Sequence, residues 1–147
     1  MNRIEKLAGF VKALEDEGIF EFNVNRFDNR LKLQKYVYLA RKFGFDLGYR
    51  YNLYIHGPYS PELANDYYRL NKVTKYVKIS LDRKFIKLIK RKSERWLELA
   101  ATIVMLVERY GDIGKEMIIK LVKSNKPFAT EKELENVFKE LKIAGII

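Results

Sequence analysis

The sequence predicts a mainly α fold of the α+β class: a compact helical domain with a small antiparallel two-stranded β element. Apolar residues recur at helical spacing along most of the chain, and N-cap residues and stop glycines bracket these stretches. Only two short segments alternate apolar and polar residues as strands do. With 147 residues, the chain can bury a core as one domain over 1–147, with 93–147 as a candidate C-terminal helical subdomain.

The first third of the chain predicts two helices. The first ends at Gly18, and the second begins with Asp28 as its cap and ends at Gly44. Their apolar faces are formed by Ile4, Leu7, Phe10, Val11 and Leu14, and by Leu33, Tyr36, Val37, Ala40 and Phe43. Faces of this width are typical of helices that pack against a core.

Two strands are predicted in the middle of the chain. Odd-numbered residues over 47–55 are apolar, and we expect this strand to stop at Gly57. A helix should follow, with Ser60 as its N-cap and Pro61 at its first position. The second alternating segment, 76–81, is expected to pair with the first as an antiparallel ribbon.

The C-terminal third predicts three more helices. The longest, opened by Ser93 and closed by Gly111, has the broad apolar face of a central buried helix. A short helix precedes Pro127. Thr130 and Glu133 have the spacing of a capping box at the start of the last helix.

The composition excludes several classes of protein. The chain is 48% hydrophobic and 33% charged, as in ordinary globular proteins, and has no cysteine for disulfides, zinc ribbons, iron–sulfur clusters or thiol catalysis. The longest apolar run, 99–107, is too short for a bilayer, and the first ten residues lack a signal-peptide core. We therefore expect a cytoplasmic protein without a membrane partner. The abundant lysine, isoleucine, glutamate and tyrosine, with a single glutamine, are typical of proteins from hot environments.

Catalytic chemistry has little support in the sequence. His56 is the only histidine, so the several ligands that zinc or iron needs are missing. His56, Ser60 and Asp66 have the residue types of a hydrolase triad, but Ser60 is explained as a helix cap and there is no Gly-x-Ser-x-Gly elbow. There is also no Walker loop and no Gly-x-Gly-x-x-Gly. We predict a protein that is not an enzyme and uses no metal or other cofactor.

Positive charge is concentrated in residues 72–95. The chain has a net charge of +10, and this segment holds ten basic and two acidic residues. Such a segment can bind a phosphate backbone, but cations interleaved with apolar residues equally fit a lysine-rich surface element. The candidate nucleic-acid-binding residues are Lys84, Lys87, Lys90, Arg91, Lys92 and Arg95.

Tyrosine is concentrated in the central part of the chain. Nine of the ten tyrosines lie between Tyr36 and Tyr76. A rigid ring with a polar tip suits a protein interface or base stacking, and it equally suits the rim of a small core. The sequence leaves interface and core rim as equal alternatives.

Two motifs within residues 28–71 resemble a known family. They are Leu33-Gln34-Lys35-Tyr36-Val37-Tyr38-Leu39-Ala40 and Tyr54-Ile55-His56-Gly57-Pro58-Tyr59-Ser60-Pro61-Glu62-Leu63. In order and spacing they resemble the "KLQK-hydrophobic-Y" helix and the "GP-x-x-PE" turn of the Panacea antitoxin domain and of the related YwgA-like proteins. Tyr59 and Ser60 place the chain nearer the YwgA-like branch, whose function is unassigned.

The resemblance implies a mostly helical fold with a small β element. From Panacea proteins it also implies a non-catalytic domain that binds and neutralises a toxin encoded beside it. The residues it indicates, as binding surface or as scaffold, are Gln34, Lys35, Tyr36, Tyr38, His56 and Tyr59. A Gly-Pro turn before a capped helix can also recur only because it sets the chain direction. We predict a regulatory module that binds a partner protein, with a nucleic-acid-binding regulator as the alternative.

Overall fold

The computed structural model describes residues 2–147 and confirms the predicted mainly α fold. These residues form seven α-helices and one antiparallel two-stranded sheet. The helices are α1 (Arg3–Asp16), α2 (Phe27–Ala40), α3 (Pro61–Tyr67), α4 (Arg83–Ile89), α5 (Glu94–Tyr110), α6 (Lys115–Asn125) and α7 (Glu131–Ile143), and the strands are β1 (Asn52–Tyr54) and β2 (Gly57–Tyr59).

Helix α5 lies at the centre of the fold. Every residue from Leu97 to Leu106 is buried, and the helix packs against α2, α6, α7 and β2. The Ser93 hydroxyl accepts a hydrogen bond from the Trp96 backbone N–H at 3.0 Å, and Gly111 follows the last turn, as predicted. Apolar residues cover most of the circumference of this buried stretch, and Glu98 and Thr102 are its two polar residues.

Helix α2 is the second enclosed helix, and its start differs from the expectation. It begins at Phe27 after Arg26, while the predicted cap, Asp28, lies in the first turn and pairs with Arg26 at 3.2 Å. Every residue from Leu33 to Ala40 is buried, so one apolar stripe does not describe this helix. The other expected caps are confirmed: Ser60 caps α3, and Thr130 with Glu133 forms a capping box at α7.

The predicted strand pairing is wrong. Strand β1 pairs with β2 in a tight hairpin whose turn is Ile55 and His56, and Tyr54 lies opposite Gly57. Gly57 therefore begins the second strand instead of stopping the first. It adopts a positive φ of 94°, a conformation that favours glycine. Over 47–55 only the three residues of β1 join a ladder, although the predicted alternation of buried and exposed side chains is largely present.

Residues 76–81 form no strand. They run extended across α1, where the Val77 backbone N–H donates to the Glu5 carbonyl at 3.2 Å. A Cβ on Gly9 would lie 1.7 Å from the Val77 carbonyl oxygen, so glycine is required for this close approach. The side chains of Val77, Ile79 and Leu81 turn inward and those between them outward. Alternation thus reports an extended chain with one covered face, whether or not a second strand pairs with it.

We predict that Gly57→Ala destabilises the protein more than Gly48→Ala. Both glycines have positive φ values, 94° and 82°, so each alanine carries a backbone cost of about 1 kcal/mol. Only the Cβ at position 57 would meet neighbours, with Thr102 Oγ1 at 3.1 Å, whereas position 48 has nothing within 4 Å. The free energy of unfolding measured with urea should fall by about 1 to 2 kcal/mol more for Gly57→Ala than for Gly48→Ala. Equal losses at the two positions would contradict the tight docking of the hairpin.

Candidate functional site

The hairpin is fastened to α2 by one buried side chain. The Gln34 amide donates to the Ser60 carbonyl and accepts from the Ser60 backbone N–H, both at 2.9 Å. It therefore pairs with Ser60 as a neighbouring strand would, at the point where β2 ends and α3 begins. This anchor holds the hairpin over α2 and α5.

Three charged side chains lie buried beneath the hairpin. We call Lys35, Glu98 and Lys126 the buried charge cluster. Lys35 belongs to α2 and is only 2% exposed. Lys126 is the residue after α6 and is only 3% exposed. Lys126 Nζ lies 2.9 Å from Glu98 Oε2 and donates to the Ile55 carbonyl, also at 2.9 Å. Glu98 thus pairs with Lys126, and Lys126 also holds the hairpin turn.

The Lys35 amine has no hydrogen-bond partner among the described residues. Gly57 lies directly over its side chain, since a Cβ there would be 3.4 Å from Lys35 Cε. Burial lowers the pKa of Lys35 to about 8, with Glu98 opposing this effect and Lys126 adding to it. A buried amine without a partner is costly, and such groups are concentrated at functional sites.

His56 connects the cluster to the surface. Its Nδ1 lies 3.5 Å from Glu98 Oε1, while its side chain is 45% exposed. On its outer side the ring packs edge-on against Phe27, with centroids 5.7 Å apart. His56 therefore contacts both the buried charges and the surface of the hairpin.

An exposed aromatic surface surrounds the hairpin turn. We define the hairpin patch by six residues: Phe27, Arg30, Tyr54, Ile55, His56 and Tyr68. The Arg30 guanidinium lies over the Phe27 ring at 5.5 Å and near the Tyr68 ring at 5.9 Å. Ile55, at the tip, is 84% exposed. Aromatic rings with an arginine between them are typical of the energetically important part of a protein interface.

The structure separates the predicted protein-binding residues into two groups. Gln34, Lys35, Tyr36 and Tyr38 are buried on α2, which places them in the scaffold beneath the hairpin. The Tyr38 hydroxyl donates to Glu108, and burial together with this bond raises its pKa. Burial also raises the pKa of Tyr36 to about 12. His56 and half-buried Tyr59 lie on the hairpin, where the Tyr59 ring packs against Tyr54 at 5.4 Å.

The tyrosines likewise divide between the two roles that the sequence left open. Tyr36, Tyr38, Tyr49 and Tyr67 are buried, Tyr51 and Tyr59 are half-buried, and Tyr54, Tyr68, Tyr76 and Tyr110 are exposed. The Tyr49 hydroxyl donates to Asp66 at 2.7 Å, and Asp66 also binds Arg3. Most of these rings therefore build the core and its rim, and two of the exposed ones belong to the hairpin patch.

The predicted nucleic-acid-binding residues also divide. Lys92 and Arg95 form ion pairs with Glu140 at 2.6 Å and Glu133 at 2.7 Å. The exposed cations Lys84, Lys87, Lys90 and Arg91 have no ion-pair partner among residues 2–147. Arg91 adopts a positive φ of 62° in the turn between α4 and α5. The segment thus keeps a local excess of positive charge around α4.

The candidate residues chosen from the sequence leave out seven residues of the site: Phe27, Arg30, Tyr54, Ile55, Tyr68, Glu98 and Lys126. Tyr54 and Ile55 lie in the second motif and Tyr68 in the central group of tyrosines, but none of the three was singled out. Glu98 and Lys126 stand far from the two motifs in the sequence, and a charged residue among apolar neighbours in a buried helix is the only signal for Glu98. Lys126 immediately precedes Pro127 and looks like an ordinary loop residue. Phe27 and Arg30 begin α2 with no pattern that separates them from its packed part.

Within residues 2–147 no helix has the length and apolar character needed to cross a membrane, and no group of three His, Cys, Asp or Glu side chains is arranged to hold a metal ion. Comparison with known proteins gave no match to a family model, to a curated protein or to a solved structure. The site is therefore interpreted from its own geometry.

We predict that the stability difference between Lys35→Met and wild type depends on pH. The folded protein disfavours the protonated amine, and a pKa of about 8 instead of 10.5 corresponds to roughly 3 kcal/mol at about pH 7. This destabilisation is fully present below about pH 8 and is relieved as the pH rises toward 10.5. Over this range the folded amine is neutral while the unfolded chain still binds the proton, and rising pH makes that proton binding less favourable. The advantage of the methionine variant should shrink by about 2 kcal/mol between about pH 7 and about pH 9.5.

Chemical unfolding across this pH range measures the effect. Lys6→Met removes an exposed lysine from α1 and serves as the control for the loss of one positive charge. A constant difference for Lys35→Met would show that the pKa of Lys35 is the same in the folded and the unfolded protein, and would contradict the effect of burial.

Proposed function

We propose that this protein is a non-enzymatic regulatory module of antitoxin-like type that binds a partner protein through the hairpin patch. The observation that carries the proposal is the exposure of Ile55 at the tip of a firmly anchored turn, beside exposed Phe27, Tyr54 and Tyr68. Large apolar side chains that share one exposed surface indicate an interaction site more strongly than the same side chains scattered singly.

The anchoring of the turn supports binding without large rearrangement. Gln34 holds the end of β2 and Lys126 holds the Ile55 carbonyl, so the turn is positioned from both sides. A preorganised loop loses less conformational entropy when it binds. The motif residues that resemble Panacea proteins would then act as the scaffold that presents the turn.

The positive charges of the site indicate which charges a partner's surface would carry. Arg30 donates to the Val24 carbonyl at 2.7 Å and has no ion-pair partner among residues 2–147. The buried charge cluster adds one unbalanced positive charge beneath His56. We infer a partner that places apolar side chains against the aromatic rings and acidic side chains against Arg30 and His56.

We predict that Ile55→Ser weakens partner binding at least about tenfold, the effect of removing a central apolar contact. The matched control is Ile143→Ser, because Ile143 on α7 is 77% exposed and lies outside the hairpin patch. The full chain is immobilised and challenged with extract from its native source, and the captured protein is then purified and titrated against both variants. Equal affinity for the two variants, or no stoichiometric partner, would remove the proposal.

Nucleic-acid binding is the second candidate function. It is favoured by the four exposed cations around α4 that have no ion-pair partner, since a phosphate backbone would supply the missing negative charge. The pairing of Lys92 and Arg95 with carboxylates reduces the predicted surface to Lys84, Lys87, Lys90 and Arg91.

If this second function holds, reversing three of these charges to glutamate, at Lys87, Lys90 and Arg91, should abolish binding to labelled DNA or RNA. The same reversal at Lys115, Lys120 and Lys123 of α6 changes the net charge equally and should reduce binding only modestly. Fluorescence anisotropy at several salt concentrations gives the affinity and its salt dependence. Identical losses in the two variants would point to unspecific attraction by net charge, and absence of binding at low salt would end this candidate.

A further inference from the structure

The unbalanced charge beneath the hairpin is the feature that the proposed function leaves unexplained. Lys35 and Lys126 are buried and cationic, and Glu98 is the buried carboxylate, paired with Lys126. Glu98 Oε2 is taken by Lys126 at 2.9 Å, and Oε1 lies 3.5 Å from His56 Nδ1. The Lys35 amine remains without a hydrogen-bond partner among the described residues.

We propose that the Lys35 amine is the centre of a carboxylate-binding site that lies beneath the β1–β2 turn and is entered beside His56. One monovalent anion would balance the charge of Lys35, Glu98 and Lys126 taken together. The Lys35 ammonium group has three N–H donors, and a carboxylate can accept from it and from a second donor at the same time. The net charge and the available donors therefore fit a carboxylate better than a neutral or cationic ligand.

The entrance follows from which parts of the site are exposed. Lys35, Lys126 and Gly57 are buried, whereas the His56 side chain is 45% exposed and contacts Glu98. Ile55, next to it, is 84% exposed and contributes almost no packing. For a carboxylate to reach Lys35, the turn and Gly57, which lies over the Lys35 side chain, must move outward together. This movement breaks the hydrogen bond from Lys126 to the Ile55 carbonyl, whereas the pairing of Gln34 with Ser60 can stay.

The carboxylate has two chemically equivalent sources. It can be a free small anion, or an acidic side chain that a bound protein inserts beside His56. This proposal goes beyond the proposed function, because the purified chain would bind a free small anion even without a partner protein. The site would also make the hairpin patch selective for partners with an acidic side chain at this position, because the carboxylate would pair with a buried amine instead of a solvated one.

The experiment is an acetate titration of the purified full chain, followed by backbone amide NMR, with chloride replaced by acetate at constant ionic strength. We expect saturable shifts centred on His56, Gly57 and Thr102. Lys35→Met should weaken this binding at least about tenfold, while Lys6→Met, an equal charge change at an exposed site, should leave it unchanged. The wild-type titration is decisive by itself if the methionine variant fails to fold.

A second arm separates the two sources. Blocked Gly-Glu-Gly and Gly-Gln-Gly peptides replace acetate under the same conditions. Shifts with acetate and with the glutamate peptide assign the site to a protein's acidic side chain, and shifts with acetate alone assign it to a free anion. No acetate shifts in wild type, equal shifts with both peptides, or unchanged acetate binding in Lys35→Met would overturn the proposal. Partner binding is measured with Ile55→Ser, so either proposal can fail without the other.

Discussion

The pairing of the Gln34 side chain with the Ser60 backbone is the contact on which the rest of this site depends. It satisfies two buried backbone groups where β2 ends, and it fixes the residue whose hydroxyl caps α3. With that end held, Gly57 lies against Thr102 of α5 and over the Lys35 side chain. A buried polar side chain of α2 therefore determines where the hairpin rests and what it covers.

The covered region explains why buried charge and exposed aromatic surface occur together. Lys126 reaches from the end of α6 to the hairpin turn and joins it to Glu98 of α5. The same turn carries Ile55 and His56 outward, beside Phe27 of α2. The buried charge cluster beneath the turn and the hairpin patch above it are thus linked through one short loop. A ligand that moves the turn would therefore affect both the buried charge cluster and the hairpin patch.

The basic segment shows how tertiary contacts change the meaning of a charge count. Arg83 pairs with Glu17, Lys92 with Glu140 and Arg95 with Glu133, and these carboxylates come from α7 and the end of α1. Of the exposed cations of this segment without an ion-pair partner among residues 2–147, four lie on α4 and the turn after it, and three, Lys72, Lys75 and Lys78, precede α4. The hairpin patch and this basic surface differ in chemistry, so the two candidate functions can be tested by separate substitutions.

The sequence by itself determined six of the seven helices that residues 2–147 form, the N-caps Ser60, Ser93 and Thr130, and the start of α3, because periodicity and capping are properties of neighbouring residues. Helix α4 was not predicted, because it is only seven residues long and its apolar residues are interleaved with lysines. It also identified His56 and the motif residues as the region of interest. Strand pairing was decided only by the tertiary structure, because alternation over 47–55 and 76–81 reports one covered face and carries no information about the partner. The buried charge cluster was likewise hidden, since Lys35, Glu98 and Lys126 come from three separate elements. Long-range packing alone brings those three charges together beneath one turn.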